Sequence, residues 1–171
     1  MDPRPPALLL AHGAGGNAES MRPWVRALAR HDVHAIAIDL PRGRAERAVP
    51  AYREALARYP GAAIGGHSFG GRVASLLAAE QPVPALVLLS YPLHPPGRPD
   101  DLRTSHWPNI SCPVLLLSGE ADEFATIELL REWVPELPDA TLVTYPNVTH
   151  GLGPVVLDAA ERVAAFLESL P

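Results

Sequence analysis

A chain of 171 residues with 47% hydrophobic and 19% charged residues is one globular domain by size, with enough apolar content to bury a core. A formal net charge of −5 with no basic stripe argues against nucleic-acid binding, and the 14 basic residues are all arginine, which removes lysine chemistry such as a Schiff base or a P-loop. The single cysteine, Cys112, cannot form an internal disulfide. No segment approaches the ~20 apolar residues of a membrane span, and Met1-Asp2-Pro3-Arg4-Pro5-Pro6 lacks the shape of a signal peptide, so a soluble cytoplasmic protein is expected.

In chain order, the apolar run Ala7–Ala11 predicts a first strand. Ser20 is placed to cap a helix reaching Arg30, and Val33–Ile38 predicts a second strand ending at Asp39. A helix is expected over Val49–Tyr59, stopped by Pro60-Gly61. The third strand is Ala62–Gly65, followed by a helix over Phe69–Glu80, and then by strands at Ala85–Ser90 and Val114–Gly119. A helix near Ala125–Val134, a sixth strand at Thr141–Tyr145 and a closing helix over Pro154–Leu170 complete the pattern. Runs such as Leu86-Val87-Leu88-Leu89 are apolar at every position, as strands buried on both faces are. Strand–helix alternation with such strands predicts an α/β fold, a mainly parallel six-stranded sheet covered on both sides. Ligands in this class sit at the carboxyl ends of the strands, where His12, Asp39, Ser68, Asp122 and His150 all fall. The proline-dense stretch Tyr91–Ile110 is the one long irregular segment, and a loop of that length in a small domain is more often functional than idle.

Gly66-His67-Ser68-Phe69-Gly70-Gly71, directly after the third strand, fits the G-x-S-x-G turn that lifts a serine hydroxyl above the end of a sheet. The serine backbone is strained there and the chain passes close on either side, so glycine is expected at 66 and 70. A serine hydroxyl needs a base to take its proton, and the base needs an acid to orient it. His150 follows the last strand and Asp122 follows the fifth. Singly, Ser68 and Asp122 read equally well as helix N-caps and His150 as a solvated loop residue. Together, at three strand ends in a fixed order, they read as a catalytic set. Glu120 and Glu123 flank Asp122 and stand in for it if the strand end is misplaced. The loop His12-Gly13-Ala14-Gly15-Gly16 offers backbone amides for an oxyanion hole, with the N–H groups of Ala14 and Phe69 as expected donors. A phosphate loop is the poorer reading, because G-x-G-x-x-G fails and no lysine follows.

These motifs, with Leu8-Leu9-Leu10-Ala11-His12-Gly13, Ser118-Gly119-Glu120-Ala121-Asp122 and His150-Gly151, resemble a small α/β-hydrolase of the dienelactone-hydrolase-like group. The resemblance spans nearly the whole chain and implies one α/β-hydrolase domain over 1–171, a three-layer sandwich. It departs from dienelactone hydrolase in having serine rather than cysteine at 68. No cap domain is expected, since only Tyr91–Ile110 occupies the place of one. Tyr91-Pro92-Leu93-His94-Pro95-Pro96-Gly97 also resembles a small subgroup some of whose members act in protein complexes.

The function expected is hydrolysis of a small carboxylic ester or thioester, with Ser68, Asp122 and His150 catalytic and no cofactor or metal. Of the seven histidines, His12, His67, His94, His106 and His150 show no paired ligand spacing such as H-E-x-x-H. His12, Leu93, His94 and Trp107 are the candidates for substrate contact, with Trp24 beside them. Arg98 and Arg103 are placed to meet a substrate carboxylate, although arginines in a polar loop are more often solvated. A binding or regulatory protein of the same fold, and an acyltransferase, are the alternatives. Oligomeric state is not legible.

Overall fold

The computed structural model describes residues 4–171; the Met1-Asp2-Pro3 part of the N-terminal reading lies outside them. Six strands, β1 (Leu8–Ala11), β2 (Ala35–Ile38), β3 (Ala63–His67), β4 (Leu86–Leu89), β5 (Val114–Gly119) and β6 (Ala140–Tyr145), form one sheet in the order β2-β1-β3-β4-β5-β6. Every pairing is parallel. Both faces are covered, as the unbroken apolar runs require. Leu86 and Leu88 face one core while Val87 and Leu89 face the other, and all four are fully buried. Helices α1 (Arg22–Ala29) and α5 (Val156–Glu168) close one side. Helices α2 (Ala45–Arg58), α3 (Phe69–Glu80) and α4 (Ile127–Trp133) close the other.

The chain runs from β1 outward to β2 and then back across β1 to β3. That reversal leaves a crevice above the carboxyl ends of β1 and β3, the position where such sheets bind ligands. The loops after both strands open into it.

Most element boundaries agree with the sequence reading to within two residues. Helix α2 is the main exception: it begins four residues earlier, at Ala45, and carries Pro50 inside it. Pro50 removes one ladder bond. Burial of Ala45, Ala48, Val49, Tyr52, Ala55 and Leu56 on one helical face outweighs that loss. At α1, a short 3-10 turn over Ala18–Met21 precedes the helix, and Asn17 rather than Ser20 is its cap. Ser20 instead completes the capping box by presenting its hydroxyl to the Asn17 N–H.

The connection between β4 and β5 is not a separate layer. Tyr91, Leu93, Trp107 and Ile110 are buried in the core with α2 and α3, and the Tyr91 and Trp107 rings pack 5.1 Å apart. The loop is thus a piece of core with a polar edge, and no cap domain stands over the sheet.

Tyr52 of α2 links this core to the strands below the crevice. Its buried hydroxyl accepts the Gly65 N–H at 2.9 Å and lies 2.7 Å from the Gly65 carbonyl and 2.9 Å from that of Leu9. Tyr52→Phe removes these buried hydrogen bonds, and a loss of about 0.5–1.5 kcal/mol is expected. Urea melts of the two proteins with equal m-values measure it.

Candidate active site

Ser68 stands between β3 and α3 with φ +49° and ψ −114°, a backbone state that a side chain makes costly. Sterics hold it there. A Cβ on Gly66 would lie 2.7 Å from the Ala11 carbonyl oxygen, and one on Gly70 would lie 2.5 Å from the same atom. The start of α3 therefore rests directly on the end of β1, with no room for a side chain between them. Although Ser68 is the N-cap of α3 by position, its side chain makes no capping bond. Its Oγ lies 2.8 Å from His150 Nε2.

His150 Nδ1 is 2.8 Å from Asp122 Oδ2. A carboxylate only accepts, so Nδ1 carries the proton and Nε2 is left as the acceptor for the Ser68 hydroxyl. Asp122 is almost wholly buried, at 1% exposure. Its second oxygen, Oδ1, accepts the Phe124 N–H at 2.8 Å. Asp122 thus both caps the turn after β5 and orients His150. Neither flanking acid takes its place: Glu120 accepts a hydrogen bond from Thr144 Oγ1 at 2.8 Å, and Glu123 is exposed.

Three residues to which the sequence reading gives no such role hold His150. Gly119 is the first: a Cβ there would lie 2.1 Å from the Val148 carbonyl oxygen, so the 146–150 loop passes flat against the end of β5. The Ala121 N–H fastens that loop at 2.9 Å through the same carbonyl. His67, the residue before the serine, is the second, with Nε2–H donating to the His150 carbonyl at 3.3 Å. Burial keeps His67 below the usual histidine range, hence neutral. Phe124 is the third, edge-on to the His150 ring at 4.7 Å. Gly119 and His67 stand within the motifs and Phe124 two residues beyond one, and that proximity is the signal that points to them.

Ala14 and Phe69 both border the cleft. Phe69 opens α3, so its N–H has no carbonyl within the helix. Neither amide enters a backbone bond outside the helices and strands among the described residues.

The residues expected at the substrate are placed differently. His12 spends both ring nitrogens on the scaffold: Nδ1 lies 2.8 Å from the Gly13 carbonyl and Nε2 accepts the Leu40 N–H at 3.0 Å. It ties the loop after β1 to the chain after β2 instead of facing the cleft. Leu93, His94 and Trp107 are also removed from the lining, because the loop turns its apolar side chains inward to the core. Trp24 does line the cleft. Arg98 is an exposed partner of Asp101 at 2.9 Å, whereas Arg103 borders the cleft. Asp39 accepts the Ala18 N–H at 2.7 Å, a turn-holding role. Burial pushes the Cys112 thiol up to about 11, which leaves it unreactive. The cleft itself has a volume of about 1230 Å³ and is open.

The all-parallel sheet, the strained serine turn and the site at the β1/β3 reversal define an α/β-hydrolase fold. The family model described as "Alpha/beta hydrolase domain" matches residues 4–165, and the chain belongs to that family. Solved structures agree on the fold. A monoacylglycerol lipase from Paleococcus ferrophilus superposes with a TM-score of 0.78 at 19% identity, over 96% of this chain and 95% of that one. The thioesterase domain from the curacin biosynthetic pathway gives 0.77 at 16% identity, over 98% and 92%. Est1E from Butyrivibrio proteoclasticus with ferulic acid bound gives 0.76 at 19% identity, over 96% and 89%. At such identities the likeness concerns architecture alone. Among the described residues no helix is long and apolar enough to cross a membrane.

Two measurements check this account of the site. Gly119→Ala pushes the Val148 carbonyl away and carries His150 with it. The Nδ1 proton signal of His150 should lose its hydrogen-bonded shift, and any Ser68-dependent turnover should fall about 100-fold, the usual cost of a 1 Å misplacement. The second concerns acid. Burial lowers His67, and burial with the Arg72 charge lowers His106 to about 4. Both are neutral when folded, while the unfolded chain takes up protons near pH 6.5, so stability is full above about pH 6.5 and falls as pH drops toward 4. His106→Gln should flatten that slope in urea melts between about pH 4.5 and 7; an unchanged slope assigns it to other groups.

Proposed function

We propose that this α/β-hydrolase is a serine hydrolase of the dienelactone-hydrolase-like group, cleaving a small carboxylic ester or thioester through an acyl-enzyme. The observation that carries the reading is the pair of 2.8 Å contacts joining Ser68, His150 and Asp122. His150 Nε2 accepts the Ser68 proton as Oγ bonds to the acyl carbon. The Asp122 carboxylate stabilises the imidazolium that forms. The carbonyl oxygen, now negative, is held by the Ala14 and Phe69 N–H groups. The carbon–oxygen or carbon–sulfur bond then breaks, and the leaving alcohol or thiol receives the proton from His150. A water gives a proton to His150 and its oxygen to the acyl carbon. The acid leaves, and the proton returns to Ser68. Every participating group belongs to the protein, the substrate or water. The isolated Cys112 supports a reducing, cytoplasmic setting for this activity.

A fluorophosphonate probe should label the wild-type protein at Ser68, and short 4-nitrophenyl esters should be hydrolysed. Ser68→Ala should abolish both, and Asp122→Asn, which leaves the wrong tautomer, should cost roughly 10³–10⁴ in kcat. A protein that neither labels nor turns over any ester or thioester above the Ser68→Ala background is a binding module of this fold. Release of an acylated acceptor in place of free acid identifies a transferase.

A further inference from the structure

The two sides of the cleft differ. Met21, Trp24 and Leu152 make one side apolar. The opposite side, built by α2, α3 and the segment 101–106, is rich in arginine. Arg72 lies one helical turn beyond Ser68 on α3, and its N–H bonds the Ser68 carbonyl at 3.0 Å. Its side chain is 14% exposed and contacts Glu46 Oε1 at 2.8 Å. Arg103 comes from the core-anchored loop. Its N–H donates to the Leu93 carbonyl at 2.7 Å and its own carbonyl accepts the Tyr91 hydroxyl at 2.6 Å. Both backbone groups are thus tied to buried residues, which fixes the base of the side chain at the cleft wall. Arg44, at the N-cap of α2, adds a third guanidinium.

The charges facing this wall do not balance. Glu46 feels Arg72, Arg44 and Arg103 together. Asp101 is engaged by Arg98. His106 is neutral, its Nε2–H donating to Ser75 Oγ at 2.8 Å. Among the described residues no carboxylate lies within ion-pair distance of Arg103 or Arg44. Burial and the neighbouring Arg72 charge work against the Arg103 cation, while the Asp101 and Glu46 carboxylates favour it. Arg44 is exposed, as Arg98 is, but Arg98 is spent on Asp101, whereas Arg103 is half-buried. Three arginines against one carboxylate, in a protein of net charge −5, form a local positive field within the cleft that holds Ser68.

We propose that this wall is an oxyanion subsite: the ester or thioester presented to Ser68 carries a carboxylate or phosphate group that Arg103 grips, with Arg72 and Arg44 adding charge. The inference rests on the hydrolase reading for its substrate, but the subsite is testable without turnover. Guanidinium forks suit either anion, and the anion's charge offsets the repulsion between the arginines.

The test compares 4-nitrophenyl hemiadipate with 4-nitrophenyl hexanoate, esters of equal chain length that differ in a terminal carboxylate. The wild-type protein should favour the hemiadipate by about tenfold or more in kcat/KM, expressed in KM and shrinking as salt is raised. Arg103→Gln should lower that ratio by about tenfold, and Arg103→Lys by less. Arg58→Gln removes the same charge from the far end of α2 and should leave the ratio unchanged. In parallel, adipate and inorganic phosphate are titrated by calorimetry into Ser68→Ala protein with and without Arg103→Gln. The anion that binds tighter, and loses affinity with Arg103, identifies the group as carboxylate or phosphate. If no ester is hydrolysed, the hydrolase reading fails while the titrations still decide the subsite. If the esters are not distinguished, or their ratio ignores Arg103, and neither anion binds more weakly without Arg103, the subsite does not exist.

Discussion

The close contact between the start of α3 and the end of β1 is the constraint on which the rest depends. With glycine at 66 and 70, backbone meets backbone, and the chain at 68 turns between them with positive φ. That contact lifts the serine hydroxyl clear of the helix N-terminus, where it would otherwise cap. It also brings the loop after β1 alongside Phe69, so that Ala14 and Phe69, from separate elements, border one cleft. A side chain at either glycine would separate the serine from both the histidine and the amides.

Around this contact the polar groups are held by other polar groups, each in a defined state. His12, His67 and His150 all use one ring nitrogen as donor, to the Gly13 carbonyl, the His150 carbonyl and the Asp122 carboxylate in turn. Only His150 leaves its other nitrogen facing a hydroxyl in the cleft. Three histidines within one small volume therefore play three parts, and what separates them is the acceptor that each finds. Residue type alone could not have sorted them.

This explains what was legible beforehand. Repeated apolar runs and the serine turn specify the strands and the place of the serine after the third, because burial on both faces and steric crowding leave marks at fixed positions. Ser68, Asp122 and His150 were readable as a set because each follows a strand. The misreadings lie where contact is made across the chain. His12 falls at a strand end with the substrate candidates, but the partner that claims it, Leu40, is 28 residues away. Leu93, His94 and Trp107 were assigned to the cleft because their loop was. In an irregular segment nothing in the sequence periodicity tells which side chains turn inward. Arg72 went unnoticed because it sits within the regular helix that follows the serine.

The connection between β4 and β5 builds two things at once. Tyr91, Leu93 and Trp107 fill the core, while Pro92, Leu102 and Arg103 on the same stretch shape the wall of the cleft. Between them, 97–101 is exposed throughout. This wall cannot swing aside in the manner of a hinged flap without pulling apart the interior. Change in what the cleft accepts is thereby channelled: extra residues can be grafted at the 97–101 tip, where nothing is buried, whereas shortening the stretch on either side would unseat the core along with the rim.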